Sequence, residues 1–94
     1  MQRFADKVVV VTGAGSGIGK ATAERFLDEG AVVTLVGRTR SKLEEVAKPF
    51  RDDQFMIAEA DVSNEDEVKE LISRTVEKFG RLDVLVNNAG VVAE

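Results

Sequence analysis

The sequence predicts an α/β fold in which parallel strands alternate with covering helices. Three observations lead to this prediction: four short apolar runs of strand length, intervening segments with the apolar spacing of helices, and glycines between the two kinds of segment. Strands that alternate with helices pair in parallel through right-handed crossovers. The predicted order of strand, helix, strand, helix, strand, helix and strand is the first half of a doubly wound sheet.

The first strand and the first helix flank the most glycine-rich part of the chain. The valine-rich run at residues 7–12 is typical of a strand buried on both faces of a parallel sheet. A helix is predicted from about Gly17 to Gly30, where a glycine at the C′ position ends it. Its apolar side consists of Ile18, Ala21, Ala23, Phe26 and Leu27.

The second strand is predicted at residues 31–36, which form another buried apolar run. Ser41 and Glu44 fit a capping box, with the serine as N-cap and the glutamate three residues later. The sequence therefore predicts that a second helix begins after Ser41 and ends near Pro49.

A third strand, a third helix and a fourth strand complete the predicted order. The third strand is expected at residues 54–60, and either Ser63 or Asn64 caps the helix that follows. This helix ends before Gly80, and the fourth strand covers residues 83–86. The apolar face of the helix consists of Val68, Leu71, Ile72, Val76 and Phe79.

Composition and charge restrict the classes of function. Ninety-four residues, of which 44% are hydrophobic, make one small domain, residues 1–94. The chain contains no cysteine and no histidine, which argues against disulfides and metal sites and suits the cytoplasm. A net charge of −4 without a basic tract argues against a nucleic-acid partner. The sequence has no apolar run of membrane-spanning length and no signal-peptide pattern, so we expect a cytoplasmic protein without a membrane partner.

The glycines at positions 13, 15, 17 and 19 match only one type of phosphate-binding loop. A Walker loop is excluded because Ala14 and Ala21 replace its required glycine and Ser or Thr. The fingerprint G-x-G-x-x-G is excluded in both registers, because Ile18 and Lys20 stand at its last glycine. The remaining pattern is T-G-x-x-x-G-I-G over residues 12–19.

The physical properties of this loop favour a phosphate ligand. Glycine permits positive φ angles and lacks the Cβ that would keep a diphosphate away from the backbone. A helix that begins at Gly17 directs its free N–H groups and its positive dipole end at an anion. We expect Gly19 to allow close packing of this helix on the preceding strand. The alternative is a glycine-rich turn that serves only to reverse the chain.

Three motifs in order resemble those of the short-chain dehydrogenase/reductase family. They are the loop at residues 12–19, Asp61-Val62, and Asn87-Asn88-Ala89-Gly90. The resemblance covers essentially the whole chain and implies a Rossmann-like fold that binds a nicotinamide dinucleotide. The loop residues that it assigns to the cofactor are Gly13, Gly15, Ser16, Gly17, Ile18 and Gly19.

The two later motifs receive further roles from the resemblance. It implies that Asp61 accepts a hydrogen bond from the adenine amino group and that Val62 lies beside it. It also implies that Asn88, Ala89 and Gly90 lie along the ribose and adenine side of the cofactor, whereas Thr12 and Asn87 tie neighbouring strand ends together. From the residues alone, Asp61 is equally a turn residue, and the asparagine motif is equally a hairpin loop.

The end of the second strand indicates which nicotinamide cofactor is bound. An acidic residue there would bond the ribose 2′-hydroxyl of NAD and repel a 2′-phosphate. By the resemblance, Gly37 occupies the position of this acid, and Arg38 follows it. A guanidinium can form paired hydrogen bonds with a phosphate, so the sequence predicts NADP rather than NAD, with Arg40 as a further contributor. The alternative is that both arginines are solvated surface charges.

The chain lacks part of what the family's reaction requires. Hydride transfer to a carbonyl uses a serine, a tyrosine and a lysine in this family, and the present chain contains no tyrosine. We therefore assign no catalytic residue, and we expect the chain to be inactive alone and to form an incomplete domain. An exposed edge on the fourth strand predicts self-association or pairing with a missing C-terminal half. The alternative function is a stand-alone or self-associating nucleotide-binding module without catalysis.

Overall fold

The computed structural model describes residues 4–88, and it confirms the predicted α/β fold. The elements in chain order are β1 (Val8–Thr12), α1 (Gly17–Asp28), β2 (Val32–Gly37), α2 (Arg40–Ala47), β3 (Phe55–Glu59), α3 (Glu65–Phe79) and β4 (Val84–Asn87). A short 3-10 turn, Asp52–Gln54, precedes β3. The strands form one parallel sheet in the order β3-β2-β1-β4.

The helices cover both faces of the sheet, as a doubly wound arrangement requires. On one face, Val9 and Val11 of β1 lie in a buried cluster with Leu27 of α1 and Leu43 of α2. On the other face, a second cluster joins Val10 of β1 to α3. Alternate valines of one strand thus face opposite layers, which explains why the strand is apolar at every position.

β1 lies at the centre of the sheet, and this position determines where the glycine loop emerges. All five residues of β1 are buried, and Val9 is in register with Val33 of β2 and Val84 of β4. From β1 the chain proceeds to β2 and β3 on one side of it, and then crosses to β4 on its other side. In open parallel sheets, such a switch point at the carboxyl edge is where ligands bind.

The N-terminus of α3 follows the predicted pattern. Asn64 is the N-cap, and its side-chain oxygen accepts hydrogen bonds from the backbone N–H groups of Asp66 at 3.0 Å and Glu67 at 3.2 Å. Acidic residues in the first turn complement the helix dipole. The helix ends at Gly80, whose φ of 88° is the left-handed conformation that glycine adopts easily.

The predicted capping box of the second helix is wrong. Helix α2 begins at Arg40, its N-cap is Thr39, and no side-chain hydrogen bond caps it. Ser41 lies inside the helix and cannot act as its N-cap, and the carboxylate of Glu44 accepts a hydrogen bond from Nε of Arg40 at 3.2 Å. The glutamate therefore interacts one turn earlier on the helix surface. The end of the helix at Ala47 agrees with the prediction near Pro49.

The strands β3 and β4 form the two edges of the sheet within residues 4–88. No strand among residues 4–88 pairs with the outer side of β4, and the side chain of Leu85 in this strand is half-exposed. The exposed edge that the sequence predicts is therefore present in the described part of the chain.

A buried pair of hydroxyl groups holds α3 against the sheet. Thr75 Oγ1 donates to the carbonyl oxygen of Leu71 at 2.8 Å and lies 2.8 Å from Oγ1 of Thr34 on β2. Both threonines are fully buried. Because the Thr75 proton is directed at Leu71, the Thr34 hydroxyl donates to Thr75.

This direction of donation predicts unequal effects of two similar substitutions. Thr75→Val leaves the buried Thr34 hydroxyl without a partner, so we expect a loss of unfolding free energy of about 1–3 kcal/mol. Thr34→Val leaves the bond from Thr75 to Leu71 intact, and we expect a loss below about 1 kcal/mol. Urea denaturation of both variants measures the difference. Equal losses would contradict the assigned direction.

Candidate functional site

A cleft of about 470 Å³ opens at the carboxyl edge of the sheet, between the glycine loop, the start of α2 and the turn after β3. Six predicted site residues line it: Gly13, Gly15, Ser16, Arg38, Asp61 and Val62. Six further lining residues were not assigned from the sequence: Gly37, Thr39, Lys42, Leu43, Ala60 and Ser63. Four predicted residues of the described range do not line the cleft. Gly17, Ile18 and Gly19 lie in the first turn of α1, and Asn88 follows β4.

Two positive φ angles shape the glycine loop. Gly13 has φ of 64° and Gly17 has φ of 59°, a region that residues with a Cβ rarely adopt. Between them, Ser16 is the extended N-cap of α1, and its side chain forms no capping hydrogen bond. A Cβ placed on Gly17 would meet no atom within 4 Å. There is therefore room beside Gly17, and no side chain caps the first turn of α1.

Gly19 has a packing role. A Cβ at this position would lie 1.8 Å from the carbonyl oxygen of Gly13 and 2.6 Å from its carbonyl carbon. Helix α1 thus packs directly on the backbone that follows β1, as the sequence predicts for Gly19. This contact fixes the loop relative to the helix that begins the site.

Helix α2 packs over two other glycines of the cleft. A Cβ on Gly15 would lie 3.1 Å from Cβ of Lys42, and a Cβ on Gly37 would lie 3.1 Å from Cδ2 of Leu43. Leu43 is fully buried and forms the floor between the loop and the end of β2. No sequence pattern indicates this role of Leu43, because an apolar residue in a helix is usually a core residue.

Asp61 forms the centre of a hydrogen-bonded turn at the edge of the cleft. Its Oδ1 accepts from the backbone N–H of Ser63 at 2.9 Å and from the Ser63 hydroxyl at 2.7 Å, and it lies 3.3 Å from Nη2 of Arg38. These hydrogen bonds, those from Ser63 first, lower the pKa of Asp61 to about 2. Asp61 is thus an ionised turn residue, and it also lines the cleft.

The cations near the cleft differ in their partners. Arg38 forms its ion pair with Asp61 across the cleft, and its side chain is 75% exposed. Arg40 forms an ion pair with Glu44 at 3.2 Å and does not line the cleft. Lys42 lines the cleft and forms no salt bridge with any carboxylate of residues 4–88. The sequence analysis assigned no role to this lysine.

The ends of β1 and β4 are joined by side chains, as predicted for Thr12 and Asn87. The Thr12 hydroxyl donates to Oδ1 of Asn87 at 2.9 Å and accepts from the backbone N–H of Asn88 at 2.9 Å. Nδ2 of Asn88 is buried and has no hydrogen-bond partner among the described residues. The predicted contacts of Ala89 and Gly90 fall outside the described residues.

The described residues lack the features of a membrane span and of a metal cluster. No helix within residues 4–88 has the length and apolarity needed to cross a bilayer. The same residues contain no group of three or more acidic side chains placed to hold a metal ion.

Comparison with known proteins identifies relatives over nearly the whole chain. The family model described as short chain dehydrogenase matches residues 7–94. An uncharacterised oxidoreductase of Staphylococcus saprophyticus is 47% identical over 95 residues, which cover 98% of this chain and 41% of that protein. The present chain thus spans about two fifths of the length of this curated relative.

Solved structures show the same fold. The apo form of a glucose dehydrogenase of Caenorhabditis elegans is 43% identical with a TM-score of 0.88, over 96% of this chain and 40% of that chain. A 3-ketoacyl-(acyl-carrier-protein) reductase from Brucella melitensis, complexed with NADH, is 38% identical with a TM-score of 0.81. That similarity covers 87% of this chain and 34% of the reductase.

Proposed function

Because this chain belongs to the short-chain dehydrogenase family, we propose that it forms the NADP-binding half of an oxidoreductase. The cleft carries this proposal. Its volume of about 470 Å³ lies within the usual range for ligand sites, about 300–1,000 Å³. It combines an exposed loop backbone, an ionised carboxylate and two cations. A nicotinamide dinucleotide presents the matching groups: a diphosphate, an adenine and, in NADP, a 2′-phosphate.

The residues present fit such a ligand. A diphosphate beside Gly17 would meet no side chain on that glycine and would lie at the uncapped start of α1, where N–H groups and the helix dipole favour negative charge. Asp61 and Val62 lie at the β3 side of the cleft and would hold the adenine. When bound, the cofactor supplies the hydride that is exchanged with a carbonyl or alcohol substrate. We assign no proton-transferring residue to these 94 residues, because they contain no tyrosine.

The preference for NADP rests on the end of β2. An acidic side chain at Gly37 would bond the 2′-hydroxyl of NAD, but a Cβ there would lie 3.1 Å from Leu43. Arg38 instead places a guanidinium in the cleft, where it is paired with Asp61. The Brucella reductase is complexed with NADH, so relatedness alone does not select the cofactor, and Arg38 is the residue that supports NADP here.

A charge reversal at Arg38 tests the cofactor preference. We expect the natural protein to bind NADPH more tightly than NADH, because Arg38 can form a charge-assisted hydrogen bond with the 2′-phosphate. Since solvent partly screens this interaction, the expected ratio of the two dissociation constants is only about tenfold. Arg38→Glu should reverse this preference. Fluorescence titration with both reduced cofactors measures the two dissociation constants.

A matched control separates local contact from net charge. Arg74 is exposed on α3 and does not line the cleft, so Arg74→Glu changes the charge equally and should leave the ratio of the two constants unchanged. An unaltered ratio in Arg38→Glu would refute the NADP assignment.

The free edge of β4 also belongs to the proposal. The relatives extend well beyond the region that this chain matches. We propose that the remaining part of such a protein, or a second copy of this chain, pairs along that edge.

A further inference from the structure

We propose that Lys42 is a second residue that selects NADP, by binding the same 2′-phosphate as Arg38 from the α2 side of the cleft. The inference rests on the proposed function and adds to it a residue that the three sequence motifs do not contain. It depends on the position of Lys42, on its lack of a partner and on the charge of the cleft lining.

The position of Lys42 follows from the glycine loop. A Cβ on Gly15 would lie 3.1 Å from Cβ and 3.8 Å from Cδ of Lys42, so the stem of the lysine crosses the bare face of this glycine. The aliphatic stem is thereby packed on the loop, while its charged end remains near water. Gly15 thus allows Lys42 to line the cleft beside the residues predicted to hold the phosphates.

Lys42 differs from the neighbouring cations in having no anionic partner among residues 4–88. Arg38 is paired with Asp61 at 3.3 Å, and Arg40 is paired with Glu44 at 3.2 Å. Within the described range, no carboxylate lies within salt-bridge distance of the Lys42 ammonium. A ligand phosphate can therefore contact Lys42 without breaking an existing ion pair.

The charge of the cleft lining gives an independent reason. Its charged residues are Arg38, Lys42 and Asp61. Because Asp61 is ionised and lies against Arg38, these two charges cancel, and Lys42 gives the lining its net positive charge. Without Lys42, a phosphate dianion would enter a cleft that is neutral overall. Lys42 should therefore increase the affinity for NADPH, which carries the 2′-phosphate, and have little effect on the affinity for NADH.

The test removes the lysine charge in the natural protein as produced from its whole gene. We expect Lys42→Met to weaken NADPH binding about fivefold, since an exposed ion pair has a modest effect, and to leave NADH binding unchanged. Lys42→Arg should restore most of the NADPH affinity. Titration at two salt concentrations should show a smaller salt dependence for NADPH in the methionine variant.

Lys48→Met serves as the matched control, because Lys48 follows α2 and does not line the cleft. Two smaller probes, adenosine 2′,5′-bisphosphate and adenosine 5′-monophosphate, differ only in the 2′-phosphate. The ratio of their dissociation constants in each variant therefore measures the interaction with that phosphate alone.

The outcomes distinguish this inference from the proposed function. If the natural protein prefers NADPH and Lys42→Met keeps the full preference, the role of Lys42 is refuted while the NADP proposal stands. If Lys48→Met weakens NADPH binding as much as Lys42→Met does, the effect is one of net charge, and the inference fails. If the natural protein shows no preference for NADPH, both proposals fail.

Discussion

Gly19→Ala is expected to destabilise the protein by about 3 kcal/mol or more and to prevent cofactor binding. The new methyl carbon would lie 1.8 Å from the carbonyl oxygen of Gly13 and 2.6 Å from its carbonyl carbon. Both of these atoms belong to the backbone, so no side-chain rotation relieves the overlap. Either α1 must move away from β1, or the loop must move away from the cleft that it lines.

Intrinsic helix propensity predicts the opposite sign for this substitution. Alanine in a helix interior is usually favoured over glycine by about 0.5–1 kcal/mol. Gly17→Ala is the comparison variant, because its Cβ would meet no atom within 4 Å and its cost arises only from the φ of 59°. That cost should be about 1–2 kcal/mol.

Urea denaturation and NADPH titration distinguish the two glycines. Gly19→Ala should lower the urea concentration at the midpoint of unfolding more than Gly17→Ala does. The folded Gly19→Ala protein should also show no saturable binding of NADPH. A Gly19→Ala protein as stable as the natural one would contradict the close approach between α1 and the loop.

The order of strands and helices was predictable because each buried strand carries its own signal. Residues 8–11 are all valine, and an uninterrupted apolar run indicates a strand with helices on both faces. Gly17 and Gly80 mark a helix start and a helix end at positions with positive φ, which explains why those boundaries agree with the structure. At these positions the identity of the residue itself was sufficient to predict the strand or the helix boundary.

The second helix shows where local chemistry was insufficient. The sequence places a serine and a glutamate at capping-box spacing, yet the helix begins earlier, at Arg40, and Glu44 forms a hydrogen bond with that arginine. The roles of Lys42 and Leu43 in the cleft depend on how α2 lies over Gly15 and Gly37, and this packing involves residues distant in the chain. No pattern confined to one helix predicts it.

The ion pair between Arg38 and Asp61 had no sequence signal either. The two residues follow different strands and meet because β2 and β3 are neighbours in a parallel sheet. Each was assigned to the cofactor separately by the resemblance. Because of this contact, the 2′-phosphate of a bound NADP would compete with Asp61 for the same guanidinium.

Leu43→Ala is the second substitution for which we expect a large effect. Leu43 is fully buried, and its side chain lies 3.1 Å from the position of a Cβ on Gly37 and 3.7 Å from that on Gly15. Truncation would open a cavity beneath the cleft, with an expected loss of unfolding free energy of about 2–5 kcal/mol. NADPH affinity should also fall, because the glycine loop and the end of β2 lose a shared support.

Leu71→Ala separates the loss of stability from the loss of binding. Leu71 is equally a leucine and is 3% exposed, but it packs on the opposite face of the sheet and does not line the cleft. We expect a similar loss of stability, within the same range of about 2–5 kcal/mol, but an unchanged affinity for NADPH in the folded protein. If Leu43→Ala keeps its NADPH affinity as Leu71→Ala does, Leu43 is an ordinary core residue and does not support the site.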